Sequence, residues 1–167
     1  MTDLNQLLNW FADKDRVLVS LSGGVDSALV AYAANKKLGK NAIAVTADYK
    51  TLSSEELDSA KLVAREIGIT HHLIEYSELE NENFVQNDNK RCFYCREELS
   101  KELIKLSNYL GIETVVDGTQ SDDMGDYRPG IDALHGNGIR SPLLEVKFTK
   151  KLVRKIAKQV GLSIYDK

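Results

Sequence analysis

The chain is poor in cysteine, proline and tryptophan, and it lacks an excess of either charge. Its two cysteines, Cys92 and Cys95, are too few for a disulfide framework. Two prolines and 11 glycines exclude collagen-like and proline-rich architectures. The 22 basic and 25 acidic residues leave a net charge of -3, which argues against a strongly basic nucleic-acid grip. No apolar run reaches the ~18 residues of a membrane span. The opening residues, MTDLNQLLNWFADKDR, have no basic start and no uninterrupted apolar stretch. They read as an amphipathic helix rather than an export signal, so a cytoplasmic protein without a membrane partner is expected.

What is present suits one globular domain over residues 1–167, with 43% hydrophobic and 28% charged residues. The hydrophobic period alternates along it. Short β-branched runs are expected to be strands at Arg16–Leu21, Asn41–Thr46, His72–Tyr76 and Glu113–Asp117. Helical patterns are expected over Ser27–Leu38, Ser53–Ile67, Phe93–Leu110 and Thr149–Val160, with Gly39, Gly68, Gly111 and Gly161 as stops. Continuous apolar strands alternating with helices predict an α/β fold, a parallel sheet sandwiched by helices. Ligands in such sheets bind beyond the carboxyl ends of the strands. Trp10 is expected to pack the first helix against the sheet, and adjacent His71 and His72 to face opposite sides of a strand.

The first strand-to-helix turn is Ser22-Gly23-Gly24-Val25-Asp26-Ser27. Two glycines let the backbone turn sharply and bring its N–H groups close to a ligand. The helix that follows points its positive end at the same spot, and the two serines add hydroxyls. The turn is an anion hole of phosphate size. Asp26 repels phosphate unless Mg²⁺ lies between them or it orients loop donors. The turn has no lysine and no GxxxxGK[ST] or GxGxxG pattern, so neither a Walker A loop nor a dinucleotide fold is indicated.

Other strand ends carry further candidates. The second strand ends at Thr46, and Ala47 and Asp48 follow it, then Lys50, for which a plain polar loop is the better reading. Gly118 and Thr119 follow the fourth strand, and then Asp122 and Asp123, a pair suited to Mg²⁺ facing a phosphate loop. Arg128 and Arg140 sit among turn formers, either to bind phosphate or carboxylate or to pair with a nearby acid. Lys90-Arg91-Cys92-Phe93-Tyr94-Cys95 is open to three readings. CxxC can be half a zinc site, though the chain has no second pair. It can be a sulfur-carrying or redox pair with thiolates favoured by basic neighbours, or two inert thiols at a helix entry.

The turn matches SGGxDS, the signature of the PP-loop ATP pyrophosphatases, whose fold is the Rossmann-like adenine nucleotide alpha hydrolase type. Four segments together resemble one branch of that superfamily: SGGVDS at 22–27, RCFYCREEL at 91–99, DGTQSDDMGDYRPG at 117–130 and SPLLEVKFTKKLVRKIAKQVGLSIYDK at 141–167. The branch is the LarE-like ATP-dependent sacrificial sulfur transferases of nickel-pincer cofactor assembly. The resemblance implies ATP and Mg²⁺ as cofactors and a small carboxylate or nucleotide substrate. Adenylylation of that substrate releases pyrophosphate, and a protein cysteine or a cysteine-bound iron–sulfur cluster then delivers sulfur.

On this reading residues 22–27 grip the pyrophosphate, while Thr46, Ala47, Asp48, Gly118 and Thr119 meet adenine and ribose. Asp26, Asp122 and Asp123 act in catalysis through Mg²⁺, and Arg91, Arg128 and Arg140 are substrate candidates. In the family the sulfur-donating cysteine lies beyond a segment like SIYDK, in a portion that also helps build a homo-oligomer. The chain given ends at Lys167, so the ATP-binding part without that donor is expected, and neither Cys92 nor Cys95 matches the donor position. Three alternatives share the motif: an ammonia-dependent ligase of the NAD- or GMP-synthetase type, a tRNA-thiolation enzyme, and a non-catalytic nucleotide-binding module.

Overall fold

The computed structural model describes residues 2–22, 24–49, 54–76, 91–121 and 138–166. Helix α1 (Thr2–Trp10) leads into strand β1 (Val17–Ser20), and helix α2 (Val25–Leu38) follows. Then come β2 (Ala42–Tyr49), α3 (Ser54–Ile67), β3 (Thr70–Tyr76), α4 (Arg91–Leu110) and β4 (Thr114–Val116). Two helices close the described chain, α5 (Pro142–Glu145) and α6 (Lys150–Gln159).

The four strands form one parallel sheet in the order β3-β2-β1-β4. Alternation of side chains along β1 divides the core. Val17 and Val19 join the helical side built from α1, α2, α3, α5 and α6, whereas Leu18 faces Leu103 and Ile104 of α4. The expected sandwich is therefore present. Because β1, β2 and β3 run outward to one side and β4 is added on the other, the order reverses between β1 and β4. That reversal is where open α/β sheets place ligands.

Several boundaries differ from those the sequence suggests. Helix α2 starts at Val25, so Asp26 and Ser27 lie in its first turn, and the N-cap position is Gly24, which has no side chain to cap with. Strand β2 runs on to Tyr49, because pairing with β3 continues through Asp48↔Glu75 and Tyr49↔Tyr76. Ala47 and Asp48, expected beyond the strand, are thus strand residues. Two features were not foreseen: the single turn of α5, and the parallel bridge from Val116 to Arg140 that extends the sheet beside β4. Trp10 packs against the core on the helical side of the sheet, and its indole Nε1 donates to Glu145 Oε1 at 3.1 Å, which also ties α1 to α5.

Candidate functional site

The carboxyl ends of β1 and β4 meet at the start of α2. The Ser22 backbone N–H donates to Ser27 Oγ at 3.0 Å, and the hydroxyls of Ser22 and Ser27 share a hydrogen bond of 3.0 Å. Ser27 Oγ also lies 3.4 Å from the Gly24 carbonyl. The turn thus holds itself closed around two hydroxyls at the positive end of a 14-residue helix. Val25 anchors it, fully buried.

Gly118 closes the other side. A Cβ there would lie 2.6 Å from Ser27 N and 2.9 Å from Ser27 Cα. Only a residue without a side chain lets the backbone after β4 lie against that of α2. Asp117 holds this crossing in place. Its Oδ1 accepts from Thr119 N–H at 3.1 Å and from Ser141 Oγ at 2.6 Å, and its Oδ2 accepts from Thr119 Oγ1 at 3.0 Å. The Asp117 N–H donates to the Arg140 carbonyl at 2.9 Å, joining the segment before α5 to the same point.

Lys150, at the first position of α6, reaches across and donates to Asp26 Oδ2 at 2.7 Å. Thr149 caps that helix by accepting from Leu152 N–H at 3.3 Å, which fixes where Lys150 emerges. The sheet's central strand end therefore carries a carboxylate, an ammonium, two hydroxyls and a helix N-terminus. A cation on Asp26 offsets the repulsion that a lone carboxylate would exert on phosphate.

Thr46 and Thr119 are buried, and their hydroxyls are engaged within the interior. The Thr46 hydroxyl donates to the Leu21 carbonyl at 2.7 Å and meets His71 Nε2 at 2.7 Å, while that of Thr119 is held by Asp117. Ala47 packs in the core on the α4 side. Arg140 is paired within the chain. Its Nε and Nη2 donate to Glu145 at 3.1 and 2.7 Å, and its guanidinium stacks 4.7 Å from the Trp10 ring centroid. Burial raises the Glu145 carboxyl's pKa, but the bonds from Arg140 and Trp10 outweigh this and hold it below its ordinary value. Arg140 thus takes the alternative left open for it, pairing with an acid.

Gly23, Lys50, Asp122, Asp123 and Arg128 lie outside the described residues, as do the side chains of Asp48, Arg91, Cys92 and Cys95. Among the described residues no cluster of three His, Cys, Asp or Glu side chains suits a metal, and no helix is long and apolar enough to cross a membrane.

His71 is the half-buried member of the histidine pair and His72 the exposed one. Burial first, then the charges of His72 and Lys61, push the His71 pKa below 6.5. The unfolded chain then binds the proton more readily than the folded one, so stability rises with pH in that window. The contribution is complete above 6.5 and is lost as pH falls toward the lower folded value. Thermal unfolding of wild type should therefore drop more steeply from pH 7.5 to 5 than that of His71→Gln. Parallel pH profiles would remove His71 from this account.

A parallel sheet with an SGGxDS turn at its reversal point marks a PP-loop protein of the adenine nucleotide alpha hydrolase fold. Residues 12–114, more than half of the chain, match the asparagine synthase family, and the chain belongs to that family. Among relatives, an uncharacterized protein of Synechocystis is 44% identical over 98% of this chain and 61% of its own. The pyridinium-3,5-bisthiocarboxylic acid mononucleotide synthase of Lactiplantibacillus plantarum is 34% identical over 93% of this chain and 56% of its own. The LarE-like resemblance is thus matched over nearly the whole chain, and the chain spans about three fifths of the length of these relatives. The solved NMN synthetase of Francisella tularensis superposes with a TM-score of 0.78 at 20% identity, covering 99% of this chain and 73% of that one. At that identity it supports the fold alone.

Proposed function

We propose that this chain binds ATP with its β- and γ-phosphates in the turn at 22–27 and adenylylates a carboxylate of a small-molecule substrate. In the balanced step a carboxylate oxygen attacks the α-phosphorus, the bond from that phosphorus to the bridging oxygen breaks, and pyrophosphate leaves with the electron pair. The acyl-adenylate would be the first intermediate of sulfur transfer in nickel-pincer cofactor assembly, with a pyridinium carboxylate mononucleotide as the substrate class.

One observation carries the reading: the turn with its paired hydroxyls, clamped by Gly118, sits at the start of α2 and at the reversal of strand order. Asp26 is the described residue suited to Mg²⁺, which binds through one or two carboxylates together with substrate phosphates. When bound there the ion would neutralise charge on the phosphates. Lys150 supplies a fixed cation beside the same carboxylate.

Pyrophosphate release from ATP, measured with pyridine-carboxylate mononucleotides as acceptors, tests the proposal. Lys150→Met should lower the rate by about 10²-fold, the scale of losing one charged contact to a developing phosphate charge. NAD formed from ammonium and deamido-NAD would instead assign an amide ligase. Pyrophosphate release that depends on tRNA would assign a thiolation enzyme, and ATP binding without turnover on any acceptor would leave a nucleotide-binding module.

A further inference from the structure

The phosphate turn is supported from below by a continuous hydrogen-bonded chain. Its outer end is His71, which lines an open cleft of about 560 Å³ with Lys61, Arg65 and Ile69. His71 Nε2 contacts Thr46 Oγ1 at 2.7 Å, and Thr46 Oγ1 donates to the Leu21 carbonyl at 2.7 Å. Leu21 and Ser22 share that peptide group, whose other end is the Ser22 N–H bonded to Ser27 Oγ at 3.0 Å. Ser27 Oγ in turn meets the Ser22 hydroxyl. One route therefore runs from a ring on β3, through a hydroxyl on β2 and a peptide after β1, to both hydroxyls of the cradle.

The proton count gives the route a direction. A threonine hydroxyl has one proton. Leu21 is 1% exposed and Thr46 is 3% exposed, so water cannot readily replace a lost donor at that carbonyl. With the Thr46 proton on Leu21, the contact with His71 is a hydrogen bond only if the ring donates. The Nε2–H tautomer follows, and it keeps Thr46 from turning its proton away from Leu21. A donor on the carbonyl also polarises the peptide and strengthens its N–H as a donor to Ser27.

We propose that His71 is a positioning residue of the phosphate turn, fixing the Leu21–Ser22 peptide through Thr46 so that Ser22 and Ser27 hold their hydroxyls where a nucleotide's terminal phosphates enter. The inference rests on the proposed ATP reading, and it differs from that reading in naming a side chain that touches no substrate.

Binding of ATP and of AMP, which lacks the terminal phosphates, is compared by calorimetry for wild type, His71→Leu, His71→Gln and Thr46→Val. Nitrogen NMR of nucleotide-free wild type reads the tautomer. The Nε2–H form is expected. His71→Leu and Thr46→Val should bind ATP about tenfold more weakly, the scale of one buried donor lost, while AMP changes less than about twofold. Gln presents an amide N–H near the ring Nε2 position, so His71→Gln should return to within about threefold of wild type.

A Nδ1–H tautomer overturns the proposal without reference to any nucleotide. Equal losses for ATP and AMP, or a Gln variant as weak as Leu, overturn it by leaving His71 a general packing role. Wild type that binds ATP no better than AMP would sink the ATP reading itself, and the positioning claim with it.

Discussion

Replacing Gly118 by alanine should destabilise the fold by ~2–3 kcal/mol, toward the upper end for overpacking a tight site, and should abolish measurable ATP binding. The added methyl carbon would stand 2.6 Å from Ser27 N, 2.9 Å from Ser27 Cα and 3.0 Å from the Asp26 carbonyl carbon. All three are backbone atoms of the first turn of α2, so no side chain can rotate to relieve the contact. Either the chain after β4 lifts away, or α2 shifts along its axis and carries Asp26 and Ser27 with it. Both movements open the phosphate turn.

The neighbouring Gly24 is a control with the opposite expectation. A Cβ there would meet nothing nearer than Ser22 Oγ at 3.8 Å, and its φ of −91° suits any residue. Gly24→Ala should therefore keep its stability within ~1 kcal/mol, the range of N-cap exchanges. Urea unfolding of the two variants separates the cases. A Gly118→Ala protein as stable as wild type would show that the two backbones are not packed as described.

The contrast marks where sequence reading works and where it stops. The motif at 22–27 was legible because its chemistry is local: two glycines, two hydroxyls and a helix start occupy adjacent positions. The four strands were legible because each is a short apolar run bounded by turn residues, and parallel pairing was implied by the helices between them. Gly118 was read as a nucleotide contact, whereas its visible task is to let two backbones touch, which depends on residues 91 positions apart in the chain (118 less 27).

Lys150 and Asp117 were not singled out at all. Lys150 stands in a run of basic residues, KFTKKLVRK, where nothing local separates it from neighbours on the solvent side. Only the packing of α6 against α2 brings it to Asp26. Thr149, expected as the first helical residue, is the N-cap that sets Lys150 at the first helical position. Arg140 was left open for the complementary reason. A bidentate donor among turn residues looks the same whether its partner is a ligand or, as here, Glu145 five positions on.

Asp117→Ala should cost about 3–5 kcal/mol, the range for breaking a buried polar network. The residue is 7% exposed and accepts from three donors on two segments, Thr119 N–H, Thr119 Oγ1 and Ser141 Oγ. Alanine leaves those donors facing a small cavity, and each buried donor without a partner costs ~1–3 kcal/mol before relaxation. The loss also removes the side-chain tie from Ser141 to the turn after β4 and leaves the backbone bonds at Arg140 to hold the two segments, so Gly118 is pressed less firmly against α2. ATP binding should fall together with stability.

Thr119→Val removes one hydroxyl and keeps the backbone donor, so it should cost only about 1 kcal/mol. Asp117→Asn falls between. Its amide oxygen, placed at Oδ1, keeps the bonds from Thr119 N–H and Ser141 Oγ, and its NH₂ forces the Thr119 hydroxyl to reverse and accept. The expected order of stability is wild type, Thr119→Val, Asp117→Asn, Asp117→Ala, read as unfolding midpoints at constant slope in urea. If Asp117→Ala instead unfolded at the wild-type midpoint, the carboxylate would not be the tie between β4 and α5. The clamp on the phosphate turn would then have to come from the Val116–Arg140 bridge alone.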